Sequence, residues 1–288
     1  MSTDPIRVIV TGASGGIGRA VLRSIAGDPS LEAIAWSRTH QPGSGSKSTV
    51  VADLTDFATV RAMLADIRPQ AVIHLAGIAG TDSAQSPSLI QDTNVDATLH
   101  LARAAAEHGA QRFVFASSAA VYGVDATAPL SEDAPLRGES VYAKSKIAAE
   151  QGLCAIAAET GLEVISLRIF NVFGDDFPDS LISRLRTAGP NHDIALHGGQ
   201  EFVRDYVHGD DVARAFHRAL LVDMHGPSLI VNIGSGIPTT NADLLDAISP
   251  TARRYVKVTA GSPSYSVADA SFAQSLWGGT TRNVRDFF

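Results

Sequence analysis

Tyr142 and Lys146 stand four residues apart in the stretch VYAKSKIAAE, residues 141–150. If that stretch is helical, the two side chains leave the same face one turn apart. A phenol with an ordinary pKa of ~10 is a poor proton carrier at neutral pH. A neighbouring cation favours its phenolate form, so the pair is suited to moving a proton to or from an alcohol or sugar oxygen. The same spacing also arises by chance on solvated helix faces, and its weight depends on what the rest of the chain supplies. Three stretches bear on this: a glycine-rich turn near the N-terminus, the pair Ser117-Ser118 upstream, and Asn171 downstream.

The elements that would position these groups follow from periodicity. A β-branched run, Ile6 to Val10, leads into Thr11-Gly12-Ala13-Ser14-Gly15-Gly16-Ile17-Gly18 and then into a helical pattern that Gly27-Asp28-Pro29 would end. Strand, glycine turn and helix come in the order a dinucleotide site needs. The glycines let backbone amides approach a pyrophosphate at a helix N-terminus, where the dipole favours an anion. Gly12, Ser14, Gly15, Gly16, Ile17 and Gly18 are the residues of that cradle.

A second strand, Ala33 to Trp36, ends in Ser37-Arg38-Thr39-His40. An acidic residue at this point would bind a ribose 2′-hydroxyl and repel a 2′-phosphate. Ser37 and Arg38 occupy the place instead, so the sequence predicts NADP(H), with Arg38 facing the 2′-phosphate and NAD(H) open as the alternative. The plainer expectation for Arg38 is an exposed loop arginine. GSGSKS, residues 43–48, reads as a surface loop. Thr49 to Ala52 makes a third strand with Asp53-Leu54 at its exit, where the carboxylate meets an adenine amino group or caps the next helix. A fourth strand, Ala71 to Leu75, carries His74-Leu75-Ala76-Gly77 past the expected cofactor, and His74 reads as a packed or backbone-bonded residue.

Residues 87–109 predict one long helix containing Asn94, followed by a fifth strand, Phe113 to Ala116, that exits into Ser117-Ser118. A hydroxyl at the carboxyl end of a parallel strand sits where open α/β sheets bind ligands, which makes Ser118, and after it Ser117, a candidate partner for the oxygen handled by Tyr142. Tyr122 is equally well explained by packing. The sixth strand, Leu162 to Ile169, opens into Phe170-Asn171-Val172-Phe173-Gly174. Beyond it the alternation weakens. The chain therefore divides into a dinucleotide-binding part over 1–174, to which 201–225 returns, and a smaller substrate lobe over 175–288. Within the lobe, Phe202 to His208 reads as a strand and Asp210 to Val222 as a helix.

The chain has 288 residues, a net charge of −7, and hydrophobic and charged shares of 45% and 18%. Those proportions belong to a globular protein with a sizeable core, and the negative charge argues against nucleic acid or an anionic membrane as partner. One cysteine, Cys154, cannot form an internal disulfide and reads as a small buried apolar residue. No Cys/His spacing resembles a zinc site. No apolar run reaches membrane length and no signal-peptide pattern opens the chain, so cytoplasmic chemistry is expected.

In order along the chain, TGASGGIG at 11–18, Asp53-Leu54, HLAG at 74–77, Asn94, SSAAVYG at 117–123, YAKSK at 142–146, RIFNVFG at 168–174 and RDYVH at 204–208 resemble the extended short-chain dehydrogenase/reductases. Within that group they are similar to the NAD(P)-dependent epimerase/dehydratase family, whose members act mostly on nucleotide sugars. The resemblance implies a Rossmann-type doubly wound parallel sheet with a smaller C-terminal substrate-binding lobe. It implies Tyr142 as general acid/base, Lys146 as the residue that binds the nicotinamide ribose and lowers the tyrosine's pKa, and Ser118 as hydrogen-bond partner of the reacting oxygen. It adds Leu75, Ala76, Gly77 and Asn94 beside the cofactor, and Asn171 and Arg204 at the substrate diphosphate. An ion pair of Arg204 with Asp205 or Asp210 is the alternative. Dehydratases of this family carry an Asp-Glu pair where this chain has Ala119-Ala120, which argues against dehydration. The expected activity is reduction of a 4-keto-6-deoxyhexose nucleotide, with a nucleotide-sugar 4-epimerase holding NAD tightly as alternative. A reductase of another carbonyl metabolite and a non-catalytic NADP-sensing regulator are the remaining readings. A homodimer through segments 88–109 and 141–160 also follows from the resemblance.

Overall fold

A computed structural model of the chain describes residues 4–39, 46, 48–79, 85–280 and 282–288. His40 and most of the loop expected over 43–48 lie outside the described residues. The first half alternates strand and helix except at β2–β3: β1 (Ile6–Thr11), α1 (Gly16–Ala26), β2 (Leu31–Ser37), β3 (Ser48–Val51), α2 (Phe57–Ile67) and β4 (Ala71–His74). Next come α3 (Pro87–Gln91), a π-helical turn (Asp92–Asp96), α4 (Ala97–Glu107), β5 (Arg112–Ser118), α5 (Val141–Thr160) and β6 (Glu163–Ile169). The remainder is built from shorter pieces: β7 (Asn171–Phe173), α6 (Leu181–Arg186), β8 (Ile194–His197), β9 (Phe202–Arg204) and β10 (Tyr206–His208). It continues through α7 (Gly209–Leu221), β11 (Ser228–Ile233), β12 (Thr239–Thr240), α8 (Asn241–Ala247), α9 (Pro250–Arg253), β13 (Val256–Thr259), β14 (Ser264–Ser266) and α10 (Ser271–Trp277).

Seven parallel strands form one sheet in the order β11-β6-β5-β4-β1-β2-β3. The order reverses between β1 and β4, and the crevice at such a switch point is where doubly wound sheets bind ligands. Both faces of the sheet are covered, so its strands are nearly continuous apolar runs, as Ile6–Val10 foretold. On one face Val8, Val10, Ile73, Val114, Ile165 and Val231 pack under α1 and α7; on the other Ile9, Trp36, Val72, Phe113 and Phe115 pack under α2, α4 and α5. A separate core of Phe173, Ile182, Leu185, Ile194, Leu196, Tyr206, Leu244 and Leu245 holds the shorter elements together. β11 enters the main sheet as its edge strand beside β6, which extends that sheet past the returning segment read from sequence. Among the described residues no helix is long and apolar enough to cross a membrane.

Two expected elements differ. The long helix over 87–109 contains the π turn at Asp92–Asp96, which rotates the residues after it relative to an unbroken α-helix. The strand read over 202–208 is split at Asp205. Its carboxylate is fully buried and accepts from Ser235 N at 2.7 Å, Ser235 Oγ at 2.6 Å, Gly236 N at 2.9 Å and Ala268 N at 3.1 Å. Four donors aimed at one side chain fix the chain there, and β9 pairs with β12 and β14 while β10 pairs with β7.

Candidate active site

The glycine turn folds as the sequence requires. Gly12 adopts φ +64°, a left-handed conformation that glycine enters without steric cost. A Cβ there would lie 2.7 Å from Ala76 N, so the missing side chain lets β1's exit touch β4's exit. Gly15 caps α1 without any side-chain hydrogen bond, and no acidic residue occupies the first helical turn. The leading amides of an eleven-residue helix therefore face the crevice with the positive end of the dipole and no competing carboxylate. That arrangement fits a dinucleotide pyrophosphate over Gly12, Ser14, Gly15, Gly16, Ile17 and Gly18. Arg19 braces the turn by donating to Ser14 O at 2.6 Å, and with Arg23 it binds Asp176.

At the adenosine end, Ser37 is buried and donates to Thr39 O at 2.6 Å, while Arg38 is exposed. Asp53 beside Leu54 is held below the usual carboxylate range by Thr55, whose amide and hydroxyl both donate to it, with Arg38 adding a weaker attraction. The cap of α2 is Asp56, which accepts from Thr59 N, so Asp53 is free of that duty.

Tyr142 lies in the first turn of α5, which starts because Ser140 accepts from Ala143 N. Lys146 follows one turn later, buried, with Nζ donating to Ala116 O at 2.8 Å and lying 5.8 Å from the centre of the Tyr142 ring. Ser118 lies at the end of β5, beside the Tyr142 phenol. Burial pushes that phenol above its ordinary value, and the Ser118 hydroxyl works against the shift. The Lys146 ammonium donates to the Ala116 carbonyl and not directly to the phenol. Burial also pushes Lys146 down to about 8, with Glu150 opposing.

Asn94 is buried on the π turn, accepts from Ile78 N at 2.7 Å and donates to Ile78 O and Ser145 Oγ, each at 3.1 Å. Its amide thus ties the segment after Gly77 to α5. Leu75 N and Ala76 N both donate to Thr11 Oγ1 at 3.2 Å. Asn171 is exposed at the rim and donates to Asp205 O at 2.8 Å. Arg204 donates to Val203 O and Ser264 Oγ at 2.8 Å and covers the Phe202 ring at 3.8 Å. Asp205 and Asp210 are occupied elsewhere, the first by Ser235, Gly236 and Ala268 and the second by Arg282, so the alternative ion pair of Arg204 is not the one observed.

Several supporting residues were not visible in the sequence. Glu150 and Arg168 form a buried pair at 2.7 Å, with side chains 5% and 3% exposed, and Ser117 donates to the same carboxylate. Glu150 lies four residues beyond Lys146, so the helical spacing that exposed the first pair also pointed to it. Tyr122 is buried, donates to Asn232 Oδ1 at 2.7 Å and accepts from Arg168, which makes it a packing residue. Cys154 is exposed on α5, contrary to the expected burial, because its position faces away from Leu153, Ile156 and Ala157 in the core.

The family profile described as the NAD dependent epimerase/dehydratase family matches residues 8–234. The chain is 31% identical over 225 residues to a UDP-glucose 4-epimerase of Rhizobium meliloti (strain 1021), covering 70% of this chain and 68% of that one. A UDP-glucose 4-epimerase of Azospirillum brasilense is 30% identical over 309 residues, 97% of this chain and 88% of the relative. Among solved structures, MoeE5 in complex with UDP-glucose and NAD superposes with a TM-score of 0.85 at 31% identity, covering 97% of this chain and 95% of that chain. A profile spanning β1 to the exit of β11, on a fold whose glycine turn and Tyr142–Lys146 helix converge on one crevice, settles the family. The chain is an enzyme of the NAD-dependent epimerase/dehydratase family, of the extended short-chain dehydrogenase/reductase type.

Proposed function

We propose that the chain is a nucleotide-sugar 4-epimerase that keeps NAD bound through its cycle and acts on a UDP-hexose. The observation that carries this reading is the meeting of Tyr142, Ser118 and Lys146 at the exit of β5, in a chain aligned over 97% of its length with a relative named as a UDP-glucose 4-epimerase. Bound NAD would supply the hydride acceptor that oxidises the sugar carbon and then returns the hydride to its opposite face. Ser118 orients the sugar hydroxyl, and Tyr142 takes its proton and later gives it back. Lys146 supplies the positive charge that offsets the cost burial places on the phenolate. Arg204 and Asn171 line the way in from the smaller lobe, where a guanidinium that pairs with no carboxylate among the described residues suits a diphosphate. Ala119-Ala120 leave no acid pair for water elimination.

A second reading, a ketoreductase of a 4-keto-6-deoxyhexose nucleotide using NADPH, is favoured by Ser37 and the exposed Arg38 at the end of β2. Assembly as a homodimer through 88–109 and 141–160 is part of either reading. Purified enzyme given UDP-glucose and no added cofactor is expected to form its 4-epimer with no net change in nicotinamide absorbance. Turnover that requires added NADPH and consumes it mole for mole with a keto-sugar would replace the first reading with the second.

A further inference from the structure

His74 is fully buried at the end of β4, and the proton chemistry above makes no use of it. Its two ring nitrogens meet two threonine hydroxyls, Nδ1 with Thr11 Oγ1 at 2.7 Å and Nε2 with Thr98 Oγ1 at 2.9 Å. Donor counting fixes every proton on this line. Thr11 Oγ1 already accepts from Leu75 N and Ala76 N, so its own proton goes to Nδ1. Thr98 spends its proton on Asn94 O at 2.9 Å, so its oxygen accepts from Nε2–H. Both constraints select the same neutral tautomer. A second proton on the ring would point Nδ1–H at an oxygen whose lone pairs are taken. Burial pushes His74 down to about 3, and the Lys146 ammonium nearby adds to the shift.

The line does not stop at Thr98. Asn94 continues it to Ser145 Oγ, and Ser145 donates to Tyr142 O at 2.7 Å. At the other end Thr11 holds the amides of Leu75 and Ala76, which Gly12 touches from below. Thr98 lies one turn beyond Asn94, which the π turn carries.

We infer that His74 is a positioning residue: as an Nε2–H imidazole clamped between Thr11 and Thr98, it ties the strand exits of the cofactor crevice to the Asn94–Ser145 bridge that sets the Tyr142 backbone. The inference rests on the oxidoreductase reading of the site, and its test separates the two. Glutamine offers one acceptor and one donor, as the neutral ring does, whereas phenylalanine offers neither and Thr98→Val cuts the line at one atom while leaving the ring in place.

In full-length protein with NAD, ¹⁵N-histidine spectra of the wild type, assigned against His74→Gln, should show an Nε2–H tautomer that does not titrate from pH 8 to pH 5. Thr98→Val and His74→Phe should lower kcat by about 10- to 100-fold, the loss that small misplacement of catalytic groups causes. KM for UDP-glucose should stay unchanged, and His74→Gln should recover most of the rate. A spectrophotometric titration of the Tyr142 phenol, wild type minus Tyr142→Phe, should shift in Thr98→Val. Titration of His74 near neutrality, an Nδ1–H tautomer, or a Thr98→Val enzyme with wild-type kcat and phenol titration overturns the inference. If the wild type turns over no nucleotide sugar, the functional reading fails, and the tautomer and phenol titration still decide the role of His74.

Discussion

Lys146 is the residue on which the electrostatics of the site turn. It is buried beside a phenol that burial has pushed up, and its own pKa has been pushed down to about 8. At neutral pH it is charged, and in the proposed mechanism that charge favours the phenolate. Raising the pH through about 8 removes the charge, so kcat/KM should fall on an alkaline limb centred there. Arginine stays protonated throughout this range. Lys146→Arg should therefore be slower, because its fork does not sit on Ala116 O as an ammonium does, and should lack the limb. The same limb in Lys146→Arg would assign that titration to another group. The stability consequence has a definite sign. Between about 8 and the ordinary lysine value the unfolded chain holds a proton that the folded chain lacks, so this group contributes increasing stability as pH rises through that window.

At the scale of elements, the strand–turn–helix of β1 and α1 was legible because each part has its own signal: a β-branched run, a required left-handed glycine, and an apolar stripe at helical spacing. Gly12→Ala tests that logic directly. A Cβ at φ +64° and 2.7 Å from Ala76 N must both strain the turn and push β4's exit away. We expect a loss of about 1–3 kcal/mol in thermal or denaturant unfolding, together with weakened NAD binding; unaltered values for both would contradict the account of the turn. The site residues Tyr142, Lys146 and Ser118 were equally readable, since spacing and strand-end position decide where they go. The π turn was not, because one extra residue in a helical ladder leaves the apolar periodicity on either side almost intact. The break at Asp205 was hidden because Phe202 to His208 is rich in β-branched and aromatic residues with no glycine or proline to interrupt it, and only the tertiary donors from Ser235, Gly236 and Ala268 reveal the split. Cys154 was misplaced because α5 is small and apolar on several faces, which leaves composition unable to tell the core side from the outer one.

Across the whole molecule, the main sheet and the smaller core of Phe173, Ile182 and Tyr206 carry the two sets of groups that the proposed function brings together. The α1 cradle and the Tyr142 helix come from the large sheet, and Asn171 and Arg204 come from the pieces that follow it. The clasp of Arg19 and Arg23 on Asp176 joins the two across the glycine turn, and a Cβ at Gly16 would strike Phe177 beside it. In the proposed epimerisation, this joining would let one bound dinucleotide serve both half-reactions. The central claim is that the Tyr142 oxygen carries the proton of the reacting sugar. The most direct measurement is single-turnover conversion of UDP-glucose by Tyr142→Phe, with NAD content and unfolding temperature measured on the same sample. The account predicts a rate lower by at least about 100-fold in a protein that keeps its fold and its NAD; conversion at the wild-type rate would contradict it.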